Sequence, residues 1–189
     1  MRKQFGYSLI ELMIGMLVGL IVLSAIIYIF LVTLKSQKEI YSSSLLIRET
    51  NFLNDLISGE LRRVGYNSGG GVASGIYAYD ANSNSCIVYS YEKPSTSSAA
   101  YYGFRVANDA VEYGVGVTTS CAGGSWSAVS NDEVVISNGQ FTVGAPTSVR
   151  NTTDETFSIT YSFGVSVAVD QSWGRTVTKS INIRNDIDN

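Results

Sequence analysis

The sequence predicts an α+β fold in which one long N-terminal helix packs on an antiparallel β-sheet head. Three features predict it: a run without charged residues from Leu12 to Leu34, an amphipathic stripe after that run, and an alternation of apolar and polar residues in the C-terminal half. At 189 residues the chain is long enough for one well-buried domain. We therefore expect a single head that follows a helix whose first half is apolar on every side.

The run from Leu12 to Leu34 exceeds the roughly 20 residues that a helix needs to cross a bilayer. A buried core helix is the alternative, but such helices are rarely apolar on every side over this length. The run therefore predicts a membrane-spanning helix. Gly15 and Gly19 form a G-x-x-x-G pair within it, which permits close contact between helices, although glycines are also frequent in membrane helices without that role.

The residues before the apolar run combine basic residues, a glycine and a single acid. Arg2 and Lys3 precede Gly6, and Glu11 stands at the mouth of the predicted membrane helix. A carboxylate there is costly to bury, and the segment offers it no cationic partner. If the chain were cut after Gly6, Tyr7 would carry a free α-amine, which is cationic at neutral pH and could pair with Glu11 of a neighbouring copy. The alternative is a Glu11 that lies in water at the membrane surface.

The run Gly6-Tyr-Ser-Leu-Ile-Glu11 resembles the class III signal of type IV prepilins, with a basic leader, a glycine, one bulky residue, a glutamate four positions later and an apolar helix. The resemblance implies cleavage between Gly6 and Tyr7 by a prepilin peptidase on the cytoplasmic side. It also implies N-methylation of Tyr7, a role for Glu11 in assembly, and a head outside the cytoplasm. Tyr7 departs from the usual phenylalanine but keeps a bulky aromatic residue.

The second half of the predicted helix is amphipathic. Its apolar residues recur at spacings of three, four and seven, which is one stripe of a helix: Leu46, Leu53, Ile57, Leu61 and Val64. Arg62 and Arg63 suit the negative end of the helix dipole, and Gly65 suits a C-cap. The sequence therefore predicts a helix from about Ser8 to Val64, with a stripe that a sheet must cover.

The C-terminal half predicts strands because its apolar residues alternate with small or polar ones. The clearest strand runs from Phe157 to Val169, followed by a turn at Asp170–Gly174. The predicted returning strand passes through three apolar residues: Val177, Ile181 and Ile183. A second hairpin is predicted to turn at Asn108-Asp109, with these apolar residues on its two strands: Tyr102, Phe104, Val106, Val111, Tyr113, Val115 and Val117.

Shorter strands and loops complete the predicted head. We expect strands at 87–91 and 133–137, and serine- and glycine-rich loops at 96–100 and 121–127. The segment 67–71, Asn-Ser-Gly-Gly-Gly, is predicted as a flexible exit from the helix. Since the strands are half-apolar and close in sequence, an antiparallel sheet that faces the helix is favoured.

The composition argues against an enzyme. The chain has no histidine, which removes the commonest general base and the commonest zinc ligand and excludes a Ser-His-Asp nucleophile. No G-x-x-x-x-G-K-[ST] phosphate loop occurs, so energy for assembly must come from another protein. The net charge of −3 disfavours a nucleic-acid partner. We therefore predict no catalytic residues, no cofactor and no small-molecule substrate.

Two cysteines and one loop are the remaining candidate sites. Cys86 and Cys121 form no C-x-x-C motif. In a chain exported from the cytoplasm they would most simply form one disulfide, and two buried free thiols are the alternative. The segment 80–84, Asp-Ala-Asn-Ser-Asn, opens like a calcium loop, but Ser85 replaces the glycine that should follow. A plain turn is favoured there, and no metal site is predicted.

Three short stretches resemble the PilW-like minor pilins: Leu61-Arg-Arg-Val-Gly-Tyr66, the strand Cys86–Tyr91 and the hairpin entry Tyr102-Gly-Phe-Arg105. This resemblance implies a structural subunit that helps to start or cap pilus assembly at the fibre tip. It also implies other minor and major pilins, a prepilin peptidase and the inner membrane as partners. A J-type pseudopilin of type II secretion is the nearest alternative, and a pilus-tip adhesin or DNA-uptake pilin is another.

The sequence is thus predicted to hold four segments: a leader at 1–6, a transmembrane and assembly half of the helix at 7–34, an amphipathic half at 35–66 and a β-rich head at 67–189. Before assembly we expect a single-pass protein of the inner membrane with its head in the periplasm. After assembly we expect it in a pilus on the cell surface.

Overall fold

The structure is a computed structural model that describes residues 8–66, 76–79, 85–93, 98–117, 121, 123–145, 147–148 and 155–183. The chain divides into two compact units, Met1–Ser43 and Ser44–Asn189. The predicted flexible exit at 67–71 and the segment at 80–84 that opens like a calcium loop lie outside the described residues.

The helix α1 covers 53 residues from Leu9 to Leu61, close to the predicted span. The chain continues in turns to Gly65, whose φ of 80° is the left-handed conformation that favours glycine after a helix. In the first unit every side chain from Ser8 to Tyr41 is exposed. The apolar part of α1 has a mean hydropathy of 2.8, and among the described residues this helix has the length and composition to cross a membrane.

The part of α1 in the second unit buries the predicted stripe. The five stripe residues are between 0% and 6% exposed: Leu46, Leu53, Ile57, Leu61 and Val64. They pack against apolar side chains of both β-sheets. The amphipathic prediction is confirmed, and the fold is α+β with the helix on antiparallel sheets.

The first sheet has five antiparallel strands in the order β1-β2-β3-β4-β5. Their bounds are β1 Ile76–Tyr79, β2 Cys86–Lys93, β3 Ser98–Ala107, β4 Ala110–Val115 and β5 Ser125–Ala128. Strands β3 and β4 are joined by Asn108 and Asp109, whose φ angles of 52° and 59° fit a two-residue turn of type I′. The hairpin predicted at these two residues is confirmed.

The second sheet is built around strand β8, with which its other strands pair. Its strands are β6 Val134–Val143, β7 Thr147–Ser148, β8 Glu155–Val167 and β9 Asp170–Ile183, and the other three all pair with β8 in the antiparallel sense. The turn predicted at Asp170–Gly174 is wrong. Val167 already pairs with Asp170 and Ser166 with Gly174, so the chain turns before Asp170 and the residues between these pairs form a bulge in β9.

Two predicted loops contain strand residues. Strand β3 begins at Ser98, and β5 starts at Ser125 inside a stretch expected to be a loop. Pairing with β2 and β4 overrides the loop-forming composition at these positions. Strands β1 and β7 have no counterpart among the predicted strands because, with four and two residues, they are too short to show an alternation.

The buried apolar side chains form two clusters. The main core joins the stripe of α1 to the helix-facing sides of both sheets, and its largest members are aromatic: Tyr89, Phe104, Phe141, Tyr161 and Phe163. The outer-face cluster consists of buried Cys86, Val88 and Val117, with Tyr101, Cys121 and Trp126 packed against them. Since successive side chains of a strand point to opposite faces, β2 places Ile87 in the main core and its neighbours Cys86 and Val88 on the other side.

Candidate assembly site

Glu11 lies in the first turn of α1. Its backbone N–H donates to the carbonyl oxygen of Ser8 at 3.0 Å, and the N–H of Leu12 donates to the same oxygen at 3.2 Å. A carboxylate in a first turn interacts favourably with the positive end of the helix dipole. The Glu11 side chain is exposed, whereas Gly6 and Tyr7 lie outside the described residues. Cleavage, methylation and cross-subunit pairing therefore stay predictions.

An unbroken apolar surface follows Glu11 along α1. Every large apolar side chain from Leu9 to Leu34 is between 46% and 78% exposed. Apart from the neighbouring backbone of the helix itself, no atom lies within 4 Å of where a Cβ would stand on Gly15 or Gly19, so the helix is open to close approach there. Soluble monomeric proteins rarely expose so large an apolar patch. This surface must be covered by lipid or by other protein chains.

The two aliphatic hydroxyl groups in the apolar run are bonded within the helix. Ser24 Oγ donates to the carbonyl oxygen of Ile21 at 2.7 Å, and Thr33 Oγ1 donates to that of Ile29 at 2.9 Å. A hydroxyl bonded to its own helix needs no water, which suits an apolar solvent. Because both hydroxyls are already paired, the apolar run presents fewer unpaired polar groups to its surroundings than its sequence indicates.

In the second unit, Glu60 joins α1 to the first sheet. Its Oε2 accepts hydrogen bonds from the hydroxyls of Tyr91 at 2.9 Å and Tyr113 at 3.2 Å, and its Oε1 pairs with Arg63 Nη1 at 2.8 Å. The Glu60 side chain is 14% exposed, and bonds to a charged acceptor in such a setting are stronger than neutral ones. Glu60 is therefore a polar anchor between the helix and the sheet.

The tyrosines around Glu60 hold their protons more tightly than tyrosines in water. Burial raises the pKa of Tyr91 from 10.0 to about 12, and Glu60 adds to that effect, while the hydrogen bond with Arg63 opposes it. Burial and the charge of Glu60 also raise the pKa of Tyr113. Burial raises the pKa of Tyr89, which stacks between Tyr91 and Phe104. These tyrosine hydroxyls therefore stay protonated and neutral, which suits side chains with a structural role between the helix and the sheet.

Two further polar anchors hold α1 in the head. Glu49 is 5% exposed, and its Oε1 accepts a hydrogen bond from the backbone N–H of Asn131 at 2.9 Å. Tyr161 donates its hydroxyl to Asn54 Oδ1 at 3.0 Å. The helix is thus fixed to the first sheet, to the connection before β6 and to the second sheet by different side chains.

Cys86 and Cys121 form a disulfide on the outer face of the first sheet. Arg105 lies beside it, with its guanidinium carbon 4.4 Å from the ring centre of Trp126 and its Nε paired with Glu112. The indole N–H of Trp126 donates to the carbonyl oxygen of Gly123 at 2.8 Å. This arrangement covers part of the face of the first sheet that is turned away from the main core.

Sequence reasoning singles out Glu11 and the two cysteines but misses the anchors. Glu49, Asn54 and Glu60 flank the apolar stripe of α1. A polar or acidic residue at the border of a buried stripe is a weak indication of a contact with the sheet. Trp126 is hidden in a stretch with loop-like composition. Among the described residues, no group of three or more acidic or cysteine side chains is placed to hold a metal ion.

Comparison with known proteins found two matches to family models. The family described as prepilin peptidase-dependent protein B matches residues 39–183, and the prokaryotic N-terminal methylation motif matches residues 1–27. The first match covers most of the amphipathic helix and the head, whereas the second covers the basic start, Glu11 and most of the apolar run. No curated protein and no solved structure matches the chain.

Proposed function

We propose, from the premise that this chain belongs to the family of prepilin peptidase-dependent protein B, that it is a minor type IV pilin that helps to start or cap a pilus at its tip. The coarser statement needs no proposal: the chain is a type IV pilin-like, membrane-anchored structural protein with a methylation motif. Its family also points to processing by a prepilin peptidase and to pilus assembly.

One observation carries the proposal. The second unit buries its own apolar stripe, with Leu53 and Ile57 at 0% exposure, whereas the first unit leaves a whole helix surface uncovered. A chain that buries the apolar stripe of its second unit but exposes the apolar helix of its first unit is suited to assembly, because other copies or related subunits can cover that exposed surface. A surface that first needs lipid and then needs protein fits a subunit that moves from a membrane into a fibre.

The start of the mature chain supplies the second part of the proposal. Cleavage between Gly6 and Tyr7 would give an α-amine on Tyr7, N-methylated and cationic. This amine pairs with Glu11 of the adjacent subunit and fixes the axial position of the two helices. The exposed carboxylate of Glu11 at the start of α1 supports this role, since a neighbour can reach it.

The location of the head follows from the proposed direction of insertion. Residues 67–189 form the head in the periplasm, residues 35–66 join it to the membrane-spanning half at 7–34, and the leader at 1–6 stays in the cytoplasm. The disulfide between Cys86 and Cys121 supports this location, because such bonds persist in the periplasm and are rare in the cytosol.

Two measurements test the function. A strain without this chain should show a large loss of surface fibres and normal type II secretion. Normal fibre numbers with lost secretion would instead assign the chain to the J-type pseudopilins. Mass spectrometry of the protein from fibres should find a methylated N-terminus at Tyr7, and an intact Met1 in assembled material would refute the processing step.

A further inference from the structure

The outer-face cluster is separate from the main core. Cys86 and Val88 of β2 belong to it, whereas Ile87 and Tyr89 of the same strand belong to the main core with the helix stripe. The first sheet itself stands between the two clusters. A change in the outer-face cluster therefore need not disturb the side chains that hold α1.

Several contacts hold Cys121 and Trp126 against the sheet together. Arg105 stacks on the ring of Trp126, and its Nη1 donates to the carbonyl oxygen of Cys121 at 3.5 Å. Glu112 fixes Arg105, since its two oxygens accept from Arg105 and from Asn108 Nδ2. The side chain that stacks on Trp126 thus also contacts the backbone of the cysteine that closes the disulfide.

Trp126 rests on two glycines. A Cβ at Gly103 of β3 would lie 2.8 Å from Trp126 Cη2, and a Cβ at Gly114 of β4 would lie 2.9 Å from Trp126 Cε3. No real Cβ tolerates such distances, so glycine at both positions is what lets the indole lie flat on the sheet. The two glycines therefore leave space on the sheet for one side chain, and the indole of Trp126 occupies it. We call this the seated position of Trp126.

We propose that the outer-face cluster is a redox-sensitive unit in which the disulfide and the seating of Trp126 stabilise each other, while the main core stays folded in both states. Trp126 and Arg105 are positioning residues that hold Cys121 against Cys86. Thermodynamic linkage is reciprocal: if the disulfide stabilises the indole of Trp126 on the sheet, the indole in that position stabilises the disulfide by the same free energy.

The opening step is a thiol–disulfide exchange with a dithiol reductant. A thiolate of the reductant attacks Sγ of Cys121, which is half-buried, whereas Cys86 is only 3% exposed. Cys86 leaves as a thiolate and takes up a proton. The second thiol of the reductant then attacks the mixed disulfide, so that Cys121 is released as a thiol and the reductant becomes a disulfide. Two electrons and two protons pass to the protein.

The test is the equilibrium of the full chain in detergent micelles with reduced and oxidised dithiothreitol, followed by alkylation and mass spectrometry. Trp126→Ala should shift the disulfide equilibrium toward the dithiol by roughly tenfold, within the usual range for coupled sites. Trp126→Phe should give a smaller shift and guards against loss of folding. Trp173→Ala, at a 36% exposed tryptophan outside the cluster, is the matched control and should leave the equilibrium unchanged.

The reciprocal effect is measured on Trp126 itself. In the Trp173→Phe background, reduction should raise quenching of Trp126 by acrylamide, while backbone amides of β8 and of α1 around Leu53 keep their slow hydrogen exchange. An equilibrium that both Trp126 variants leave unchanged overturns the coupling. Loss of the slow amides of β8 on reduction overturns the independence of the main core.

Discussion

The two parts of helix α1 differ in how they satisfy their apolar side chains. From Leu9 to Leu34 every large apolar residue is at least 46% exposed, whereas the stripe residues of the second unit are at most 6% exposed. Both stretches are helical and carry large apolar residues, on every side in the first and as a stripe in the second, so the presence of apolar residues alone does not decide which of them are buried. What decides is whether the same chain provides a surface to cover the residues.

This difference separates two kinds of stability. The head depends on contacts within one chain, and mutations there should change its free energy of unfolding. The first unit depends on lipid or on other subunits, and mutations there should change assembly and leave the head unaffected. Matched substitutions in the two units therefore test the division directly.

The largest effect is expected from removing a stripe side chain. Leu53→Ala should lower the free energy of unfolding of the head by about 2–5 kcal/mol, because Leu53 is 0% exposed and its loss opens a cavity. Leu20→Ala is the matched control, since Leu20 is 62% exposed in the same helix. Chemical denaturation in detergent, followed by near-ultraviolet circular dichroism, measures both. Equal losses in the two variants would contradict the division into units.

Glu11→Ala should give the converse result. We expect incorporation into fibres to fall by roughly tenfold or more, because a neighbour's amine would then lie in an apolar bundle without its counter-charge. Insertion in the membrane and stability of the head should not change. Glu39→Ala, an exposed acid of the same helix beyond the apolar run, serves as the control. Wild-type incorporation of Glu11→Ala would refute the pairing of subunits through this residue.

Glu60→Ala should have a smaller effect, confined to the head. The change leaves the hydroxyls of Tyr91 and Tyr113 without the acceptor that they share, and we expect a loss of about 1–2 kcal/mol in the free energy of unfolding. Fibre incorporation should fall only as far as the folded fraction falls. A Glu60→Ala protein as stable as Glu39→Ala would show that the anchor contributes nothing.

The last effect, which is absent at neutral pH, is a loss of stability in alkali. The folded pKa of Tyr91 is raised from 10.0 to about 12, so its contribution is complete below pH 10 and is lost as the pH rises through 12. Burial raises the pKa of Tyr113 and Tyr161 as well, which extends the loss to higher pH. Rapid pH jumps followed by tyrosinate absorbance measure the ionisation of the tyrosines. Denaturation at each pH should show the decline in the free energy of unfolding. Ionisation of all tyrosines near pH 10 without unfolding would contradict it.

Regular patterns in the sequence predict most of the fold. The stripe from Leu46 to Val64 and the alternation from Phe157 onward depend on local periodicity, and both are found in the structure. The turn at Asn108-Asp109 is predictable because few residue pairs adopt left-handed backbone conformations. Local chemistry is sufficient in these cases.

The remaining features depend on contacts between distant residues. The bulge in β9 arises from the register with β8, which no turn signal near Asp170 encodes. Glu60 meets Tyr113 across 53 positions of sequence, and Trp126 meets Gly103 and Gly114 only when the sheet has formed. Side chains that join separate elements give no periodic signal, so the anchors and the outer-face cluster require the structure.

The internal hydroxyl bonds of Ser24 and Thr33 have a consequence for how a subunit travels. A helix that must leave one apolar solvent for another is slowed by every group that has to exchange partners on the way. These two hydroxyls already have acceptors within α1, the carbonyl oxygens of Ile21 and Ile29, so neither needs a new partner when the surroundings of the helix change. A transfer of this helix from lipid to other protein chains would then exchange mainly hydrocarbon contacts, because the apolar side chains from Leu9 to Leu34 form its exposed surface.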